Sequence, residues 1–349
     1  MDKHIMKDTA SGGFHFDEEW LSQTVEPVLE PDMPIIDAHH HLWDSNRGSR
    51  YLFRELQRDV DSGHNIRATL YAQCYEMYSK DAVPSMAPVG EVEFVNGVAA
   101  RSASGLYGES RLCAGIVGYA DLRLGEAVDV VLKELRSRAP NRFKGIRFIT
   151  EWDEDSSIRT APEAFPRGLM SDPTFRKGFS RLHANELTFD AWLFHTQIPE
   201  LTDLARTFPD TTIVLDHIGA PLNVGRYADQ QEVVRREWTK SIYELATCAN
   251  VRLKIGGFNM HLLGFHNEHR AQPLSSDVLA EQWRPYIETC IDAFGPDRCM
   301  FESNFPVDKS GCSYRTLWNA FKRVTSALSP SERSWLFYET ARQTYRLEL

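Results

Sequence analysis

Eight short apolar runs punctuate this chain, at 35–41, 68–75, 113–119, 143–149, 188–194, 212–215, 251–255 and 299–301, and their β-prone residues suit a pleated surface. Between them the period changes. Val128, Val131, Leu132 and Leu135 repeat at i, i+3, i+4 and i+7, as do Leu201, Leu204, Ala205 and Phe208, which places each set on one helical face. Strand then helix, repeated, predicts a parallel sheet covered by helices. Eight such units over this length predict an α/β protein of the (β/α)8 TIM-barrel type. A doubly wound open sheet is the alternative, because runs of this kind do not report closure. Pro199 suits the first turn of the helix after the fifth run, where its missing N–H costs nothing.

Residues 1–33 are polar and broken by Ser11, Gly12, Gly13 and two proline turns. They are expected to form an N-terminal arm over a single domain spanning 34–349, with Phe14, Phe16 and Trp20 buried against it. The longest irregular stretches, 76–110, 150–172 and 258–277, each follow a strand. They are therefore expected as long loops on the C-terminal face, where a barrel keeps its chemistry.

The 349 residues carry 39 Lys and Arg against 49 Asp and Glu, a formal charge of −10 with no long run of one sign. That balance argues against nucleic acid or an anionic membrane as partner and leaves a small molecule, with a homo-oligomer compatible. Six cysteines lie far apart without paired spacing, which fits reduced, buried thiols and a cytoplasmic expectation. No opening segment reads as a signal peptide, and no stretch approaches the roughly 20 apolar residues of a membrane span.

The first run ends in Asp37-Ala38-His39-His40-His41-Leu42-Trp43-Asp44. In an extended strand Asp37, His39 and His41 share one side and His40 faces the other. Two imidazoles a residue apart on one face can grip one metal ion, and three protein ligands plus water make an open, catalytic kind of site. Other strand ends carry polar residues too: Arg147, His195 with Gln197, Asp216 with His217, and Glu302 with Asn304. In a barrel all of these converge on one face.

These segments, together with Gly145-Ile146-Arg147, His195-Thr196-Gln197, Leu215-Asp216-His217-Ile218-Gly219 and Met300-Phe301-Glu302-Ser303-Asn304-Phe305-Pro306, resemble the amidohydrolase superfamily. More narrowly, they are similar to its branch of TIM-barrel metal-dependent hydrolases and lactonases, from about residue 34 onward. The resemblance implies a distorted barrel with one divalent metal ion, usually zinc and in some members none. It implies His39, His41 and His195 as metal ligands and His217 as a polarising or proton-transferring group.

One position departs from that pattern. Strand eight of the superfamily ordinarily ends in an aspartate that binds metal or takes a proton, and here Asn304 stands in its place. An amide is no base, although its carbonyl can meet a metal or a substrate. Glu302, two residues earlier where the family usually has glycine, is the candidate for the proton.

The expected reaction is water attack on the carbonyl of a lactone of a small organic or sugar acid. His217, Glu302 and Asn304 are the candidate catalytic residues, with Arg147, Gln197 and Trp43 the candidate substrate contacts. Asp37 is expected behind a ligand imidazole, and Trp43, Tyr51, Trp152 and Phe305 form a candidate apolar wall. Non-hydrolytic decarboxylation of an unsaturated or aromatic acid, and a retired barrel that only binds a small acid, remain alternatives. His261, His266 and His269 match no tight ligand spacing.

Overall fold

The computed structural model describes residues 15–44 and 48–349. Eight parallel strands run in chain order: β1 (Pro34–His40), β2 (Asn65–Ala72), β3 (Arg111–Gly118), β4 (Phe143–Ile149), β5 (Thr188–Trp192), β6 (Ile213–Leu215), β7 (Val251–Ile255) and β8 (Cys299–Phe301). All eight predicted runs are strands. A parallel bridge between His40 and Phe305 carries β8 back to β1, so the sheet forms a nearly closed (β/α)8 barrel and not the open alternative.

The barrel interior is filled by Ile36, Ala38, Ala68, Leu70, Val117, Val214 and Met300, packed with Ala341, Tyr345 and Leu347 of the C-terminal segment. The outer layer packs helices on the other strand faces. Helix Val128–Arg138 buries Val128, Val131, Leu132 and Leu135, and helix Ile198–Thr207 buries Leu201, Leu204 and Ala205 with Pro199 in its first turn. Within 76–110, expected to be irregular, helix Val89–Ala103 forms on buried Val89, Val92, Val95 and Ala99. Gly90 and Gly97 dilute its pattern, yet a Cβ on Gly90 would lie 2.5 Å from the Met77 carbonyl, so close packing demands the weak helix former.

The arm is tied along the barrel by main-chain groups. Asn319 receives the Leu29 N–H and donates to the Pro27 carbonyl, while Lys322 donates to the Leu29 and Glu30 carbonyls. Phe16 is half-buried against Tyr51 and Trp20 donates its indole N–H to Arg270, whereas Phe14 lies outside the described residues. All six cysteines are buried free thiols. No helix among the described residues is long and apolar enough to cross a membrane.

Candidate active site at the barrel mouth

The β1 triplet departs from simple alternation. The register of β1 on β2 slips between Asp37 and His40, a bulge that admits one extra residue. Asp37 consequently parts company with His39. Its carboxylate accepts from the Ser303 N–H (2.8 Å), the Ser303 hydroxyl (2.6 Å) and the Tyr314 hydroxyl (3.0 Å), and it meets His39 only through the backbone N–H at 3.3 Å. The expected carboxylate behind an imidazole is therefore a clasp between β1 and the end of β8. His40 turns the other way, with Nε2 on the Thr69 hydroxyl at 2.8 Å.

His39 and His41 come together, Nε2 to Nε2 at 3.2 Å. Two donors on one tetrahedral ion with bonds of about 2.0–2.1 Å stand at about that separation. His41 Nδ1 faces the Ala72 carbonyl at 2.8 Å, which places its proton there and leaves Nε2 with a lone pair. Trp43 stacks on the His41 ring at 5.7 Å and donates its indole N–H to Ser49, so it backs the imidazole from within the core. Burial holds His41 well below the ordinary histidine range, with the Arg147 charge adding to the effect. His39 is held well below for the same reason first, then by the Lys254 charge. Neutral imidazole is the form a metal takes.

Glu302 is fully buried between two histidines. Its Oε1 accepts from His217 Nδ1 at 2.6 Å and from the His217 backbone N–H at 3.2 Å, and Oε2 lies 3.2 Å from His39 Nδ1. His39, His217 and Glu302 thus form one cluster of potential metal-ligating atoms. Fixing the proton on Nδ1 leaves His217 Nε2 as the acceptor. Left-handed backbone at His217 (φ 51°), Ile218 (φ 52°) and Asn304 (φ 52°) marks both turns that deliver these side chains, and for a β-branched residue such as Ile218 that region is strained. Asn304 donates its amide to Asp308 at 3.0 Å, while its Oδ1 is buried without a hydrogen-bond partner.

Beneath the histidines lies an ionic layer that motif reading missed. Lys254, fully buried on β7, sits 2.7 Å from Asp190, 3.1 Å from Asp216 and 3.1 Å from His39 Nδ1. Tyr345 donates to Asp190 at 2.6 Å, linking the C-terminal segment to this layer. Burial alone pushes the lysine toward neutrality, but Asp190, Asp216 and Glu302 keep it raised and charged. Burial likewise pushes Asp216 up, yet Lys254, His39 and Arg147 together hold it well below the usual carboxylate range. The signal was present as charged positions inside mostly apolar strands, Asp190 on β5 and Lys254 on β7.

The remaining predicted residues fare differently. Arg147 donates to Asp216 at 2.9 Å and to the Gln73 carbonyl at 2.9 Å, committing two of its five donors. Gln197 is a strut and not an open substrate contact: its amide receives the Trp152 and Phe194 N–H groups and donates to the Thr150 carbonyl. His195 stands apart. Its Nδ1 accepts the Leu222 N–H at 3.2 Å, which puts the imidazole proton on Nε2, a buried atom with no hydrogen-bond partner. It can ligate through Nε2 only by giving up that bond. Of the apolar wall, Tyr51 and Phe305 belong to the packed core, and Trp152 is half-buried under the Arg167 guanidinium.

The comparisons with known proteins agree with this architecture. An uncharacterized protein, y4mH, from Sinorhizobium fredii is 31% identical over 339 residues, covering 90% of this chain and 99% of that protein. An L-fucono-1,5-lactonase from Burkholderia multivorans is 27% identical over 325 residues, covering 89% and 96%. The crystal structure of an amidohydrolase from Burkholderia multivorans with bound zinc matches with a TM-score of 0.70 at 23% identity, over 90% of this chain and 99% of that one. With a family model described as amidohydrolase matching residues 36–347, from the first strand to the segment that plugs the barrel, the chain belongs to the amidohydrolase family of hydrolases.

Proposed function

We propose that the protein hydrolyses a lactone, a cyclic ester of a small organic or sugar acid, at the carboxyl-end mouth of its barrel. The observation that carries this reading is the hydrogen bond from His217 Nδ1 to Glu302 Oε1, beside the facing His39 and His41. It presents an unprotonated Nε2, able to take a proton from water, against a carboxylate that steadies the imidazolium as it forms. The relative named L-fucono-1,5-lactonase, aligned over nearly its whole length, supports the ester class.

In this mechanism His217 Nε2 accepts a proton as water adds to the ester carbonyl, and returns it to the ring oxygen as the carbon–oxygen bond breaks. Glu302 orients and does not itself abstract, because its oxygens face two imidazoles. Arg147, with three donors beyond its two bonds, meets the developing oxyanion or a substrate carboxylate. Asn304, its amide N–H committed to Asp308, takes no proton.

A divalent cation fits the donor set. His41 would hold it with His39, once the His39 proton moves to Nδ1 facing Glu302 Oε2 in place of the Lys254 contact, with the orphaned Asn304 Oδ1 just past the neighbouring β8 and His195 after release of Leu222 as further donors. Two cations, Lys254 and Arg147, stand against three carboxylates, Asp190, Asp216 and Glu302, so one more positive charge is electrostatically welcome. When bound, it supplies Lewis acidity to the reacting carbonyl and water. Zinc is the first candidate, from the zinc-bound relative.

The test is a pH-indicator screen of purified protein over sugar-acid and other lactones, before and after chelation and zinc return. Proton release lost in His217→Asn is expected. Carbon dioxide from a carboxylic acid without proton release would replace hydrolysis by decarboxylation. Binding without turnover of any kind would leave a retired barrel.

A further inference from the structure

We infer that the loop following β7 carries a second divalent-metal site, built from His261, His266 and Glu268 with His269 at its edge. Their sequence spacing fits neither a strand nor a helical face. The left-handed residues Gly264 (φ 70°) and His266 (φ 50°) fold the chain back, so that the imidazoles of His261 and His266 lie 5.2 Å apart, centroid to centroid. Ligating atoms of His261, His266 and Glu268 all fall within 4.8 Å of one another. The Glu268 carboxylate lies 3.7 Å from His266 Nδ1 and 3.6 Å from His269 Nε2.

These separations exceed hydrogen-bond lengths, so the groups converge without holding one another. Donors on one tetrahedral ion with bonds of about 2.0–2.1 Å stand roughly 3.4 Å apart, and small side-chain rotations close the difference. The backbone that presents them is fixed by other means. Asn267, buried between the ligands, donates to Asn259 at 3.0 Å and Gln282 at 3.0 Å, and the Leu262 carbonyl receives the Asn223 N–H at 2.8 Å. A Cβ on Gly264 would lie 2.7 Å from the Asn223 carbonyl, and the Trp20 indole of the arm donates to Arg270 at 3.0 Å. A loop already held in place binds an ion without a large ordering cost.

The chemistry selects the metal class. Imidazoles with one carboxylate and no thiol form a borderline nitrogen–oxygen set, suited to zinc, cobalt, nickel or copper and unsuited to calcium or magnesium. His266 and His269 are exposed, so water completes the shell and the ion exchanges freely. Bound there, it staples the turn His261–Leu263 to the turn Asn267–His269. The root of the same loop, Gly256 and Gly257, touches Glu302 and His217, so the staple bears on the wall of the proposed mouth.

The test is calorimetric titration of the chelator-stripped full-length protein with zinc chloride, comparing wild type with His261→Asn/His266→Asn and, separately, Glu268→Gln. The double variant is expected to lose one equivalent of bound zinc relative to wild type, with unchanged melting temperature in chelator and unchanged stoichiometry at the mouth. Glu268→Gln, which keeps the loop intact, is expected to weaken that same equivalent severalfold. Equal stoichiometry and affinity in all three proteins, or no zinc bound by wild type, overturns the proposal. Because the ligands are distinct from His39 and His41, failure here leaves the lactonase reading standing, and the reverse.

Discussion

Glu302 and His217 are joined at the barrel mouth by a 2.6 Å contact from Oε1 to Nδ1, and both are buried. A carboxylate so placed fixes the imidazole tautomer. Replacing it with an amide keeps the shape and removes the charge. Glu302→Gln is expected to lower kcat by about 10²- to 10⁴-fold with little change in KM, the range seen when a proton-handling histidine loses its orienting acid. A steady-state assay on the best lactone decides it, and a loss under tenfold would remove Glu302 from the mechanism.

Gly256 marks the reach of that carboxylate. A Cβ there would lie 2.4 Å from Glu302 Cγ and 2.7 Å from the Glu302 carbonyl, so the bare backbone at the end of β7 makes room for a glutamate. Gly256→Ala is expected to destabilise by about 1–3 kcal/mol through overpacking. It should also lower kcat by about 10- to 100-fold by displacing Glu302. Urea unfolding and turnover, measured on one preparation, separate the effects; normal kcat would show that the carboxylate position is not critical.

Lys254 was invisible to motif reading, and the reason is physical. The eight strands were legible because periodicity and β-propensity act locally, and the polar strand ends because all parallel strands of a barrel open to one face. The pairing of Lys254 with Asp190 spans 64 residues and is set by barrel closure, which no local pattern encodes. The β1 bulge is similar: alternation put Asp37 beside His39, but the clasp to Ser303 and Tyr314 forms only once β8 has returned to β1. His195 shows the converse, a histidine that follows the fifth strand as expected but whose tautomer depends on the Leu222 N–H of the loop after β6.

Lys254→Met leaves Asp190 and Asp216 buried without their shared cation, and a loss of about 3–5 kcal/mol is expected in urea unfolding. Removing one orphaned charge should restore part of it. Lys254→Met/Asp190→Asn is accordingly expected to be more stable than the sum of the single variants by about 1–3 kcal/mol. Strict additivity in the cycle would mean that the two groups do not share their charge in the folded protein.

Acid stability follows from the buried histidines. Burial pushes His40 down to about 4 from an ordinary 6.5, and the same cause brings His64 and His195 to about 4. A histidine held neutral in the fold takes up its proton more readily when unfolded, so its contribution is fully present above about pH 6.5 and drains away as pH falls toward 4. Asp37, raised by burial to about 6, and Glu91, raised to about 7, act with the opposite sign over the same window, since their folded forms hold protons more tightly. His39 and His41 join the histidine side, while Asp308 and Asp190, both raised by burial, join Asp37 and Glu91, so the whole-protein curve sums opposing contributions. His40 isolates one increment, because it faces Thr69 and not the mouth. His40→Gln is expected to be less stable at pH 7, yet to lose about 2 kcal/mol less than wild type between pH 7 and pH 5. Parallel pH–stability curves for the two proteins in chemical denaturation would show that His40 titrates alike folded and unfolded, and would place the acid sensitivity elsewhere among the buried imidazoles.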